Sequence, residues 1–234
     1  MIVYKSTKKG FSADVCANRI DEVIAEAFCR TGHGTNKSEV RAWKNSMMYM
    51  ENILRDDGIP DDCGVMIEYQ IPQTAKRIDF IVTGLDENHN DQAIIIELKQ
   101  WDHVVLTEKD AIVSTFVGNA VREVSHPSYQ AWSYAALLQG FNEAVYEGNI
   151  NLSPCTYLHN YIDDGVISNS FYSDYIKKAP LFLRHDAEKL QDFIKRFVKF
   201  GDNGWVMYRI EAGRIRPSKN LADSLVKMLK GNHR

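Results

Sequence analysis

The sequence predicts an α/β fold, a central mixed β-sheet flanked by helices, with helical additions before and after it. Three observations carry that expectation. Two amphipathic helical patterns open the chain. Three strand-length apolar segments follow, Val65 to Ile71, Arg77 to Gly84 and Gln92 to Lys99. A further helical pattern then precedes another strand. The first strands are close enough for hairpins, while the later helix can cross over to a parallel neighbour.

Taken in order, the first helix is expected from about Ser12 to Arg30. Val15, Ile20, Val23, Ile24, Ala27 and Phe28 share a face, and Ser12 suits an N-cap. Thr31-Gly32-His33-Gly34-Thr35 breaks the pattern. A second helix runs from about Ser38 to Arg55, with Val40, Trp43, Met47, Met50 and Leu54 as a core-facing stripe. Asp56 to Asp62 is a loop by composition. The three strands are rich in β-branched residues, and Gly84 to Asp91 is turn-like. Ala93-Ile94-Ile95-Ile96 is continuously apolar, as in a strand covered on both faces. A hairpin is expected around Gly118-Asn119, and a helix from Pro127 to about Gln139, with proline in its first turn. Thr156 to Tyr161 reads as a strand, about Asp186 to Phe200 as a helix, Trp205 to Ile210 as a strand, and a last helix starts at Ser218. No repeat or linker divides the 234 residues. The expectation is one domain: N-terminal helices over 1–62, a core over 63–161 and a C-terminal extension over 162–234.

An apolar fraction of 44% with 25% charged residues is ordinary globular composition, sufficient for a sizeable core. A net charge of −3 gives no sign of a strongly basic surface, although local basic patches stay open. Cys16, Cys29, Cys63 and Cys155 are scattered, with no CxxC pair for zinc and no closely spaced run for an iron–sulfur cluster. They read as reduced thiols of a cytoplasmic protein. The N-terminus has basic residues but no apolar segment behind them, so it does not read as a signal peptide. No apolar run approaches the roughly 20 residues of a membrane span.

Asp79 lies near the start of Arg77-Ile78-Asp79-Phe80-Ile81-Val82, and Glu97 and Lys99 close Ile95-Ile96-Glu97-Leu98-Lys99. Residues two apart on a strand share a face, so Glu97 and Lys99 point together and Leu98 away. Asp79 joins them if the two strands pair. Charge emerging from an apolar strand is costly unless it is paired or holds a metal. Two carboxylates suit the hard cations Mg²⁺ or Mn²⁺, which activate water and offset phosphate charge. Lys99 could orient the water or stabilise the transition state. An isolated E-x-K would sooner be a plain salt bridge; its place after an R-I-D-F strand raises the catalytic reading.

These residues and their order resemble the PD-(D/E)XK nuclease superfamily, with Asp79 matching its Asp and Glu97 and Lys99 its E-x-K. Ile78 stands where that motif often has proline. The helix beginning at Pro127 carries Gln130 and Tyr134, a Q-x-x-x-Y whose polar groups share one face. This resembles the extra motif of the RecB-like branch. The stretches Ile67–Thr74, Glu97–Trp101, His126–Leu138 and Gly213–Ser218 together resemble the amino-terminal nuclease-like region of bacterial Schlafen-group-3-like DNA/RNA helicases, across nearly the whole chain. The resemblance implies a restriction-endonuclease-like core, αβββαβ. It also implies a Mg²⁺- or Mn²⁺-dependent hydrolase that cuts DNA sooner than RNA, in repair, restriction or defence. A helicase or ATPase domain or protein is the implied partner. The chain has no G-x-x-x-x-G-K-[ST], so it is expected to be an excised domain or a stand-alone relative, without ATP-driven unwinding.

RecB-like nucleases add a carboxylate from the helix before the strands. Glu39 is the candidate third metal ligand beside Asp79 and Glu97, with Glu51 and Glu68 as rivals, any of which could be a solvated glutamate. Lys76, Arg77 and Arg122 are candidate phosphate contacts. Gln100 flanks the centre, Gln70 is left outside it, and His126 suits capping or packing. Tyr157, Tyr161, Phe171, Tyr172 and Tyr175 suit packing better than base stacking. Two other readings stay open. One is a catalytically inactive nuclease-fold module that binds nucleic acid or a partner protein; the other is an interaction domain whose charges close into a salt bridge.

Overall fold

The computed structural model describes residues 2–30 and 37–231. The chain begins with β1 (Ile2–Thr7), α1 (Lys8–Cys16), α2 (Ile20–Arg30) and α3 (Lys37–Leu54). β2 (Gly64–Gln70), β3 (Arg77–Leu85) and β4 (Asp91–Lys99) follow, then β5 (Val105–Leu106), β6 (Ile112–Val117) and β7 (Ala120–Ser125). Next come α4 (Pro127–Phe141), α5 (Glu143–Tyr146), β8 (Asn151–Leu158), α6 (Ser173–Lys178) and β9 (Leu181–Leu183). The last elements are α7 (Ala187–Phe197), α8 (Trp205–Ala212) and α9 (Lys219–Gly231).

Among the described residues, six strands form the main sheet in the order β1-β2-β3-β4-β8-β9, and β5-β6-β7 form a small second sheet. The first four pair antiparallel, whereas β8 runs parallel to β4 and β9 parallel to β8. The protein is therefore α/β, with a mixed central sheet flanked by helices. A parallel pair cannot be closed by a tight turn, and α4 supplies the crossover from β4 to β8.

Strand alternation distributes the core over both faces. Ile94, Ile96 and Leu98 of β4 join Phe11, Ile24, Phe28, Met50, Leu54, Leu190 and Ile194 from α1, α2, α3 and α7. Ala93 and Ile95 join Tyr134 and Leu138 of α4 and Val206, Met207 and Ile210 of α8. Each fully buried aliphatic or aromatic side chain contributes about 1.5–3 kcal/mol. The α4 boundary is set locally. His126 Nδ1 accepts from Ser128 N at 3.1 Å, and Pro127 occupies the first turn, where no backbone donor is needed. The β6–β7 turn has Gly118 at φ 57° and Asn119 at φ 66°, the positive dihedrals a two-residue hairpin requires.

Several expectations are corrected. The helix expected over Ser12 to Arg30 is two helices, with Asn18 at φ 55° between them. Thr7, not Ser12, caps the first; its Oγ1 accepts from Gly10 N at 3.2 Å. Ser12 instead donates to Glu51 Oε1 at 2.9 Å. The segment Ile2–Thr7, given no strand by the sequence reading, is an edge strand on β2, and β9 draws the later region into the same sheet. The strand expected at Thr156–Tyr161 starts earlier, at Asn151, and ends at Leu158. Trp205–Ile210, expected as a strand, is helix α8. Its buried Val206, Met207 and Ile210 have helical spacing, and Asp202 Oδ2 accepts from Val206 N at 2.8 Å at the helix start. Among the described residues, no helix is long and apolar enough to cross a membrane. All four cysteines are free thiols.

Gly84 marks a close approach between β3 and the segment after α7. A Cβ there would lie 2.5 Å from Val198 Cγ1 and 2.8 Å from the Phe200 carbonyl oxygen. Gly84→Ala is expected to lower stability by about 1–3 kcal/mol, read as a lower urea midpoint. An unchanged midpoint would show that residues 198–200 move aside freely.

Candidate active site

The main sheet opens where β3 and β4 part. Their ladder runs from the Leu85–Asp91 pair to the Phe80–Ile96 pair. At the next position a side chain replaces the backbone acceptor: Asp79 Oδ2 accepts from Leu98 N at 2.8 Å. On the far side of Asp79, Glu68 of β2 sits at φ 56°, an uncommon conformation for glutamate. The faces switch there: Ile67 belongs to the α1–α3 core, whereas Tyr69 belongs to the core under α4. This irregularity brings the Glu68 carboxylate to the end of β3 and β4 instead of burying it within either core.

Glu97 is 1% exposed, yet its Oε2 has no hydrogen-bond donor. Its other oxygen accepts from Lys99 Nζ at 2.7 Å. The Asp79 and Glu97 carboxyls lie near enough to act on one another electrostatically. Two carboxylates this close cannot both remain ionised without a proton or a cation between them. Burial, then the Asp79 charge, pushes Glu97 up to about 8, with Lys99 opposing. Asp79 is also raised, by burial, against the pull of Lys99 and the Leu98 N–H. Glu68 reaches about 7 through burial and the charge of Asp79, although Arg77 and the Trp43 indole oppose this. Burial pulls the Lys99 ammonium down, but Glu97 and Asp79 outweigh it and hold Lys99 above its ordinary value. The result is three carboxyl groups short of positive charge around one lysine.

A cleft of about 480 Å³ opens onto this cluster. Ala42, Trp43, Ser46 and Met47 of α3 form one wall, with Glu68, Asp79, Leu98, Lys99, Gln100 and Trp101 as its base and Val117-Gly118 at the hairpin tip. Lys99 Nζ lies 5.3 Å from the Trp101 ring centroid, a cation–π contact that helps fix the ammonium. Gln100 Nε2 donates to Ala42 O at 2.5 Å and ties α3 to the end of β4.

The structure thus brings Asp79, Glu97 and Lys99 together. Glu97, Gln130 and Tyr134 all lie outside the cleft lining, and Tyr134 is near enough to Glu97, Asp79 and Glu68 to feel their charges. Gln130 Nε2 donates to Tyr134 Oη at 2.7 Å, and Tyr134 is buried against the sheet. Burial, then the nearby Glu97 charge, raises the Tyr134 hydroxyl, so it is a neutral group near the carboxyl cluster. Glu39 lies in the first turn of α3, but its side chain falls outside the described residues. Of its rivals, Glu51 is tied to Ser12 and to Arg55, whose NH2 lies 2.6 Å from Oε2. Glu68 is the residue undervalued from sequence: it is neither helical nor solvated but a buried strand carboxylate lining the cleft. Its signal was a lone acid inside Val65-Met66-Ile67-Glu68-Tyr69.

Arg77 pairs with Glu68 at 3.1 Å and lies over the Phe28 ring, a duty beyond phosphate contact. Lys76 is exposed in the β2–β3 turn, and Arg122 is exposed on β7 beside the hairpin tip. His126 caps α4 and directs Nε2 to Ile167 O at 2.9 Å, so it packs away from the cleft. Tyr157, Tyr161 and Tyr172 are buried packing residues, as expected. Among the described residues, no three His, Cys, Asp or Glu side chains form a ready-made metal cage. No family model, curated protein or solved structure matches this chain.

Proposed function

We propose that this domain is a metal-dependent nuclease that hydrolyses phosphodiester bonds in DNA, using the cluster of Asp79, Glu97 and Lys99. One observation carries the reading: a fully buried carboxylate oxygen, Glu97 Oε2, has no donor and feels the charge of Asp79, which with Lys99 lines an open cleft. An orphaned anionic oxygen of this kind fits a hard cation, and Mg²⁺ or Mn²⁺ prefers such oxygen ligands. Asp79 and Glu97 would hold it, with Glu68, which lines the same cleft, and Glu39 of α3 as candidates for a third carboxylate. Such a cation lowers the pKa of bound water and offsets phosphate charge.

The protein groups supply the rest. Lys99 stays protonated and can donate to the phosphate oxygen on which charge grows. Trp101 and the Glu97 carboxylate restrict that ammonium, so little reorganisation is needed. Leu98 N–H fixes the Asp79 carboxylate, and Gln130 orients the Tyr134 hydroxyl, which lies near enough to Glu97 to feel its charge. Arg122 and Lys76 give the strand an exposed, weak and salt-sensitive electrostatic contact. The preference for DNA, and a helicase or ATPase partner in repair or defence, rest on the motif resemblance.

The 2.7 Å ion pair of Lys99 with Glu97 supports the second reading, a module that binds nucleic acid or a partner protein without cutting. Incubation with linear, nicked and single-stranded DNA and with RNA, in Mn²⁺, Mg²⁺ or EDTA, separates the two. Metal-dependent cleavage is expected, falling at least about 100-fold in Lys99→Ala and below detection in Glu97→Ala. Cleavage surviving both substitutions would sink the assignment; binding without cleavage under every metal would establish the non-cutting module.

A further inference from the structure

We infer that a second pocket, on the other side of the cleft wall, binds one unpaired nucleobase of the strand whose phosphate lies at the cluster. The inference rests on the nuclease reading for the position of that phosphate. The pocket itself stands on separate observations.

It has a volume of about 430 Å³ and is lined by Asn45, Met48, Tyr49, Asn52, His159 and Asn160. Asn45, Tyr49 and Asn52 recur at helical spacing on α3, so they form one stripe beside the stripe that walls the cleft. Tyr49 is stacked on His159, with ring centroids 4.1 Å apart and planes 16° apart. Tyr49 remains 39% exposed, which leaves a ring face available to a further flat group. His159 is immobilised beneath it: Nε2 lies 3.2 Å from Ser46 Oγ and Nδ1 3.1 Å from Asn160 Oδ1. The stacking surface is therefore fixed before any ligand arrives, so less ordering cost falls on binding.

The lining selects the ligand's chemistry. No Lys, Arg, Asp or Glu is among the described lining residues, which disfavours a phosphate or carboxylate as the occupant. The Asn45 and Asn52 carboxamides each offer a donor and an acceptor, while Asn160 is engaged with His159 and Gln100 O. A planar, neutral ring with donors and acceptors on its edge, lying over an aromatic face, is the matching chemistry, and a nucleobase has it. Position links the two sites. Ser46 and Gln100 line the cleft, and Ser46 contacts His159 while Asn160 Nδ2 donates to Gln100 O at 3.1 Å. A base can occupy the pocket only when released from pairing, so the substrate is single-stranded or frayed at its end.

The test uses the full chain in EDTA, where binding is read without cleavage. Short labelled single-stranded DNA and RNA oligonucleotides, with matched versions carrying abasic sites, are titrated by fluorescence anisotropy. Tyr49→Ala is expected to weaken binding by about 5- to 100-fold, and Tyr49→Phe to retain it. Asn52→Asp is expected to change the rank order among homopolymers. Abasic oligonucleotides should bind wild type as weakly as normal ones bind Tyr49→Ala. Equal affinity of wild type for normal and abasic strands, or an unaffected Tyr49→Ala that melts like wild type, overturns the inference. If the variants behave as expected but no metal yields cleavage, the base pocket stands and the nuclease reading fails.

Discussion

Glu97→Gln is expected to reduce cleavage by about 1,000-fold or more while making the protein relatively more stable as pH rises. The two effects share one cause. Glu97 is fully buried, and burial together with the Asp79 charge lifts it from an ordinary 4.5 to about 8. The folded chain therefore keeps a proton that the unfolded chain releases. For a carboxyl raised in this way, stability falls as pH climbs from about 4.5 and levels off above about 8. Glutamine has nearly the same shape but no such titration, so the Tm difference, variant minus wild type, should grow between about pH 5 and pH 9. The gain is on the order of 1–3 kcal/mol in the metal-free protein. Differential scanning in EDTA at several pH values, alongside a cleavage assay, reads both. A variant that loses activity and stability together at every pH would mark Glu97 as structural.

The sheet was legible where packing dictates composition. Ala93 to Ile96 is apolar without interruption because β4 is central and covered on both faces. Glu97 and Lys99 then stand out by their charge alone, and period-two spacing predicts their shared face. The missed elements lack such signals. Ile2–Thr7 is an edge strand whose exposed Lys5 and half-buried Ser6 carry little strand signature. The segment Trp205–Ile210 has strand-like composition, but Val206, Met207 and Ile210 pack into one and the same core, which a helix permits and a strand's alternation does not. Asp202 accepts from Gly204 N and Val206 N at the helix start, a contact composition alone does not reveal.

The site was legible in part for a similar reason. Asp79, Glu97 and Lys99 lie on two neighbouring strands, so spacing alone brings them close. Glu68 depends on a backbone irregularity at φ 56° that no pattern encodes, and so it was ranked with ordinary solvated glutamates. Gln130 and Tyr134 share a helical face, as their four-residue spacing requires. Tyr134 packs with Ile95 against the sheet, near enough to Glu97 to feel its charge, while Gln130 stays half-buried beside it. Helical periodicity gives which residues point together; the direction in which they point is set by how α4 docks.

Mn²⁺ binding to the free protein should tighten by about tenfold per pH unit between about pH 6 and pH 8, with release of about one proton per ion bound. The carboxyl cluster requires this sign. If Asp79 and Glu97 hold a cation, it would compete with the proton on Glu97, so affinity would be low while Glu97 is protonated and would rise until it ionises near 8. Glu68, raised to about 7, adds to the slope in the lower half of the range if it too contacts the ion. Calorimetry in buffers of different ionisation enthalpy counts the protons, and Glu97→Gln should flatten the profile as well as weaken binding. An affinity independent of pH, with no proton released, would remove the cation from this cluster. Histidine titration does not mimic the effect. Burial lowers both His126 and His159, so each is neutral across the upper part of the range. His126 is engaged with Ile167 O and Ser128 N, and His159 with Ser46 and Asn160, so neither nitrogen pair is directed at the carboxyl cluster. A slope that persists to about pH 8 therefore belongs to carboxyl groups held far above their ordinary range by burial and by one another.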